Sequence, residues 1–270
     1  AGSAVQHYNW FNCESENGVS FYNPYETWTY SARTLPMYNT KTPYTELSYF
    51  GTLFADSQKE SDNLHILTTQ NIFPELNFTL EYDRFGGNGI MQGEKTTNKT
   101  FVTSVNYLGK RYMMHTGYIH NKVIRKENGG TSDNSMVRDT TLDAREYPIN
   151  LNNASTDLIR NTFFLDQQYR IPFTFIRNIK DRKIDKAFKD SLLASGDTAR
   201  IDSLDVFLAR RRAAREAADT LGDNNITTAF IGHSSEYSVF RKTYADQITD
   251  AAGKAFYNDV FNYNPTTSFD

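Results

Sequence analysis

Between Asn77 and Arg84 the chain alternates apolar and polar side chains without a break. Phe78, Leu80 and Tyr82 fall on one side of an extended strand, and Asn77, Thr79, Glu81 and Asp83 on the other, because successive side chains of a strand point to opposite faces. One face suits an apolar medium and the other suits water. The same alternation returns over 162–173, where Leu165, Tyr169 and Phe173 oppose Asp166, Gln168 and Arg170. Ser104 and Asn106 extend the polar set. The pattern predicts strands over 45–54, 64–71, 76–84, 100–108, 111–123, 162–176, 227–244 and 255–263, each near or somewhat above the ~9–11 residues that cross a bilayer at a tilt.

The connections sharpen this picture. Gly109-Lys110 and the stretch 72–75 read as tight turns, whereas 85–99 and 124–161 are long, polar and rich in Gly and Asn. Short turns alternating with long loops are what an outer-membrane barrel requires, the turns facing the periplasm and the loops the exterior. By parity the connection after 176 should be short, yet 177–225 is long and charged. Within it, 201–221 is helix-prone, with Leu204, Phe207 and Leu208 as a narrow apolar stripe followed by Arg210-Arg211-Arg212. We therefore expect a helical insertion around 180–222 on the periplasmic side. Residues 1–44 read as an aromatic-rich arm able to plug or line a barrel, and 45–270 as the transmembrane part.

Composition agrees with a membrane interface. Aromatic residues make up 14% of the chain, with 19 Phe and 17 Tyr, and a Tyr ring with one apolar and one wet end suits that boundary. A net charge of −3 leaves no basic footprint for nucleic acid. Cys13 is the one cysteine, so no intramolecular disulfide framework or cysteine zinc site can form. No apolar run approaches the roughly 18 residues of a helical span, so membrane residence implies a closed barrel. The start, Ala1-Gly2-Ser3, fits either a matured chain or a cloning remnant.

A family likeness joins these pieces. The segment 34–49 (TLPMYNTKTPYTELSY), then Leu67-Thr-Thr-Gln-Asn-Ile72, Glu127-Asn-Gly-Gly130, and Pro148-Ile-Asn-Leu-Asn-Asn-Ala-Ser155 leading to Phe163-Phe-Leu-Asp-Gln-Gln-Tyr169, resemble the putative porins of Bacteroidetes outer membranes over about residues 20 to 265. The resemblance implies an all-β, antiparallel outer-membrane β-barrel, integral to a Gram-negative outer membrane, with no cofactor and no catalytic residues. Members of that family are longer, so the chain resembles an N-terminal portion of a larger barrel. Family context also implies O-glycosylation at Asp-Ser/Thr followed by an apolar residue, a pattern met at Ser191, Thr198, Ser203 and Thr220.

Catalytic and metal motifs are scarce. His115 and His120 are five apart on one strand and fall on opposite faces, which is wrong for a shared metal. Gly232-His233-Ser234-Ser235-Glu236 lacks the second glycine of a nucleophile elbow, and Gly86-Gly87-Asn88-Gly89 introduces no helix, so it reads as a flexible loop and not a phosphate cradle. The paired carboxylates Glu81 and Asp83 share a strand face, as glycosidic acid/base work would need, but a water-filled lumen explains both faces of their strand at once. The reading that follows is a porin-like barrel for passive diffusion of small hydrophilic solutes. Asn77, Thr79, Glu81, Asp83, Ser104, Asn106, Asp166, Gln168 and Arg170 would face the lumen, with Arg170 as counter-charge, and Phe78, Leu80, Tyr82, Leu165, Tyr169 and Phe173 would face the lipid of the outer membrane. Two other readings stay open: a non-conducting subunit anchoring a larger outer-membrane complex with other outer-membrane or periplasmic proteins, and a soluble carbohydrate-binding β-domain.

Overall fold

A computed structural model describes residues 19–52, 61–133, 141–194 and 227–247, together with positions 4, 5, 8, 9, 135, 204, 206–210, 213, 214 and 257. Seven strands, β1 (Tyr44–Gly51), β2 (Ser61–Phe73), β3 (Leu76–Asn88), β4 (Lys95–Leu108), β5 (Tyr112–Glu127), β6 (Ala154–Pro172) and β7 (Thr227–Ala245), form one antiparallel sheet in the order of the sequence. Among the described residues the sheet is open: β1 pairs with β2 alone and β7 with β6 alone. No described helix is long and apolar enough to cross a membrane.

Several boundaries differ from the sequence reading. β3 and β4 run on to Asn88 and back from Lys95, so Gly86 and Gly87 are strand residues and the connection shrinks to 89–94. β6 begins at Ala154, well before 162, because Ala154, Thr156, Leu158 and Arg160 already alternate inward with exposed or half-buried neighbours. It ends at Pro172, which has no N–H for the ladder. The next residue opens an α-helix, α1 (Phe173–Ala194), so Phe173 is helical and not a sixth outward strand residue. Helical structure thus starts at 173 as a direct continuation of β6, and a separate helical insertion over 180–222 is not what the fold shows. Of the expected helix 201–221, only 204, 206–210, 213 and 214 are described, and of the expected strand 255–263 only Tyr257, which is helical. The remaining positions of both lie outside the described residues.

The chain divides into two compact units, 1–107 with 115–165 and 234–270, and 108–114 with 166–233. In the first unit the arm is not a strand. Residues 23–28 form a short 3-10 helix, with Pro24 in its first turn where a missing N–H costs nothing. Tyr22 and Tyr25 of the arm pack with Val123 and Leu158, and Leu35 packs with Val102, Ile119 and Phe164. These partners are all inward-facing positions of β4, β5 and β6, so the arm covers that face of the sheet. Gly117 makes room: a Cβ there would meet Thr103 O at 2.4 Å and the Phe164 ring at 2.9 Å.

Candidate functional site

Antiparallel pairing converts the alternation of single strands into rows across the sheet. Asn77 stands opposite Asn106, and Thr79 opposite both Ser104 and Thr69. Asn77 Nδ2 donates to Thr69 Oγ1 at 3.0 Å and to Asn71 Oδ1 at 2.8 Å, while the Thr69 and Thr79 hydroxyls lie 3.0 Å apart. Asn77, Thr79, Glu81, Asp83, Ser104 and Asn106 therefore share one face, all buried except the partly buried Asp83. Phe78, Leu80 and Tyr82 take the other face, where Leu80 lies between Thr68 and Thr103 and Tyr82 between Ile66 and Phe101. Leu165 follows the exposed Phe163 on the face of β6 opposite Phe164, and Tyr169, in the second unit, is also exposed. The side chain of Phe173 lies outside the described residues.

The carboxylates of this polar face are not alone. His65, directly opposite Asp83 across β2 and β3, places Nδ1 2.6 Å from Asp83 Oδ1 and 3.9 Å from Glu81 Oε1. The arm brings the Tyr30 hydroxyl close to both carboxylates. Burial first, and then these two acids, hold the Tyr30 phenol well above its ordinary pKa. His65, Glu81 and Asp83 each offer a ligand atom within 4.8 Å of the others, the donor chemistry of a divalent-cation site, although the histidine already spends Nδ1 on the aspartate.

His65 is the basic side chain beside Glu81 and Asp83 within the first unit. Arg170, with Asp166 and Gln168, belongs to the second unit. There its Nη2 lies 3.4 Å from Met113 Sδ and its guanidinium 5.9 Å from the Phe230 ring. Ser191, one of the four O-glycosylation candidates, is exposed on α1. Thr198, Ser203 and Thr220 lie outside the described residues.

Three residues that sequence reasoning gave no role, Arg160, Asn121 and Asn71, organise the first unit. Arg160 is buried yet charged, with Nη2 2.9 Å from Glu236 Oε1 and Nη1 3.7 Å from Glu26 Oε1 of the arm. Its guanidinium also lies 5.6 Å from the Tyr22 ring and 5.2 Å from the Phe240 ring, a stacked and paired arginine of the kind a lysine cannot replace. Asn121 binds the backbone of Tyr30 through both ends of its amide. Farther along the arm, Asn71 Oδ1 accepts from Thr40 N–H at 3.1 Å and its Nδ2 donates to Asn39 Oδ1 at 2.7 Å. The two histidines expected on opposite faces are so placed, His115 buried 4.8 Å from the Phe164 ring and His120 bonded to Asn161 at 2.6 Å.

The arrangement is a sheet with one polar, largely buried face under an arm and one face bearing exposed apolar side chains. It presents charge and amides to whatever fills the polar side. Set against known proteins, residues 1–270 match a family model described as "putative porin". No curated protein and no solved structure matches.

Proposed function

From a chain that belongs to the putative porin family over residues 1–270, and so to an outer-membrane, porin-like class, we propose a barrel wall for passive diffusion of small hydrophilic solutes. The observation that carries this is the division of the sheet into two faces. Thr69, Asn77, Thr79, Glu81, Asn98, Thr100, Ser104 and Asn106 are buried on the same face as the apolar Leu67, Val102, Ile119, Val123, Leu158 and Phe164, so that face combines a polar row suited to water with the apolar patches that seat the arm. The side-chain N and O of Asn98 and Asn106 find no protein partner among the described residues, and buried amides in that state call for hydration. The opposite face carries Leu47, 71% exposed, and Phe163, 59% exposed, which suits lipid.

In this reading Asn77, Thr79, Glu81, Asp83, Ser104 and Asn106 line the aqueous side, and Phe78, Leu80, Tyr82, Leu165 and Tyr169 touch lipid. The arm then lies inside, narrowing the path. Glu81 and Asp83, partly offset by His65, give a modest preference for cations that salt screens over about 10 Å at 0.1 M. The segment after β6, including α1, lies on the periplasmic side by strand parity.

Planar-bilayer recording on the complete protein tests the proposal. Conductance above background that shifts toward anions when Glu81 and Asp83 are both neutralised is the expected result. A folded barrel without conductance would reject the channel and leave the anchoring subunit as the better account.

A further inference from the structure

The lipid-facing side of β3 and β4 changes character at one rung. Leu76, Phe78, Leu80 and Tyr82 of β3 stand opposite Tyr107, Val105, Thr103 and Phe101 of β4, and the next outward pair is Arg84 opposite Lys99. Both are exposed, and neither forms a salt bridge among the described residues. Directly opposed like charges destabilise an antiparallel pair, so this rung is built at a cost unless an anion sits on it. Elsewhere on the outward face, Lys122 Nζ lies 3.4 Å from Asp157 Oδ2. Among the described residues no acid forms an ion pair with Arg84 or Lys99.

Its surroundings fit a ligand with several oxygens. One rung farther, Gly86 faces Thr97, and Gly86 and Gly87 line a shallow hollow with Arg84, Lys95, Thr97 and Asp62. Gly86 lets the two strands approach closely, since a Cβ there would meet Thr96 O at 2.4 Å, and Thr97 adds a hydroxyl donor. Asp62, the acid in the hollow, accepts the Tyr49 hydroxyl at 2.9 Å and pairs with neither Arg84 nor Lys99. The rung lies on the side of the 89–94 connection, directly beyond Tyr82 and Phe101, where an apolar band gives way through aromatics to charge, the level of lipid headgroups.

We propose that Arg84 and Lys99, with Thr97 beside them, clamp the phosphate of a phosphorylated lipid headgroup in the leaflet that surrounds the long-loop side of the barrel. Arg supplies a planar fork for two phosphate oxygens and Lys a point charge. The inference rests on the outer-membrane reading above and adds a ligand class and a place for it.

The test uses the complete protein in lipid nanodiscs containing either a phosphorylated glycolipid or its dephosphorylated form, with bound lipid counted by native mass spectrometry. Arg84→Gln, Lys99→Gln and the double variant are compared with the unaltered protein and with Lys41→Gln, a charge loss on the arm. Insertion is followed separately by heat-modifiable gel mobility. The expected result is retention that depends on the phosphate, falls about tenfold in each single variant as one charge-assisted contact is lost, and is unchanged in Lys41→Gln. Equal retention of both lipids, equal retention by the double variant, or inorganic phosphate displacing the lipid at comparable concentration would each overturn the clamp while insertion stands. A protein that fails to insert in any lipid would overturn the membrane reading and the clamp with it.

Discussion

Asn121 holds Tyr30 twice: its Oδ1 accepts from the Tyr30 backbone N–H at 3.1 Å and its Nδ2 donates to the Tyr30 carbonyl at 2.8 Å. A side chain on β5 thus pairs with the arm's backbone as a neighbouring strand would, without the arm becoming a strand. The one-way donor and acceptor of the Tyr30 backbone fix the direction of the amide, and Asn121 Oδ1 also accepts from the Thr100 hydroxyl at 3.0 Å.

Replacing Asn121 by Ala removes both contacts and leaves the Tyr30 backbone groups to water. The arm is then expected to open more often: limited proteolysis should cut within 19–43 faster in Asn121→Ala. If the arm narrows a channel, single-channel conductance should rise as well. Unchanged cleavage would show that the Tyr22 and Leu35 clusters seat the arm without this clasp.

Arg160→Ala should be a costly single change in the first unit, on the order of 1–3 kcal/mol, because it removes a buried guanidinium bonded to Glu236 and close to Glu26, whose carboxylates are about a third exposed and regain water. Arg160→Lys keeps the charge but loses the stacking on Tyr22 and Phe240, so it should recover part of the loss and not all of it. Urea unfolding from lipid vesicles, read by tryptophan fluorescence, gives both differences. A loss below 1 kcal/mol for Arg160→Ala would contradict the role assigned to it.

Leu80 and Thr79 separate the two faces. Arg in place of Leu80 should cost about 2–4 kcal/mol if that position meets the middle of a bilayer, and lipid-phase quenchers should reach a probe at 80 but not at 79. The reverse accessibility would invert the inside and outside of the sheet.

Asp133, in the connection after β5, accepts from the Ser135 hydroxyl at 2.7 Å and the Ser135 N–H at 2.9 Å, and these bonds lower its carboxyl pKa. A lowered pKa favours the folded turn above the ordinary aspartate range, and the advantage fades as pH falls through the lowered value. Ser135→Ala should move the Asp133 titration, followed by carboxyl-carbon NMR, back toward that of a free aspartate. Identical titration in the two proteins would mean the turn does not persist in solution.

The strands were legible where both faces carry a strong contrast, as at Asn77–Arg84, since alternation needs no knowledge of a partner. They were illegible at 154–161, where Ala154, Thr156 and Arg160 are inward residues that look like loop chemistry until their neighbours are known. The end of β6 was misplaced because the residues after Pro172, Phe-Thr-Phe-Ile, keep the alternating pattern while the chain turns helical. The polar row was visible, but its company was not. His65 reaches Asp83 only once the β2–β3 register is fixed, and Tyr30 meets Asn121 across 91 residues of sequence, a distance over which no local pattern carries information.

Sequence-ordered pairing also has a kinetic reading. Every strand's neighbours in the sheet are its neighbours in the chain, so contacts are local and no crossing must be threaded, the situation that favours fast folding. The β2–β3 and β4–β5 hairpins have the shortest connections and can form first, on the ~1–10 μs scale of isolated hairpins in water. β6 and β7 join through 128–153 and 173–226, whose closure costs more entropy, though only logarithmically. The arm's sites on Val123, Leu158 and Arg160 exist only after β5 and β6 are in place, so the arm, earlier in the chain than either strand, is among the last parts to find its seat.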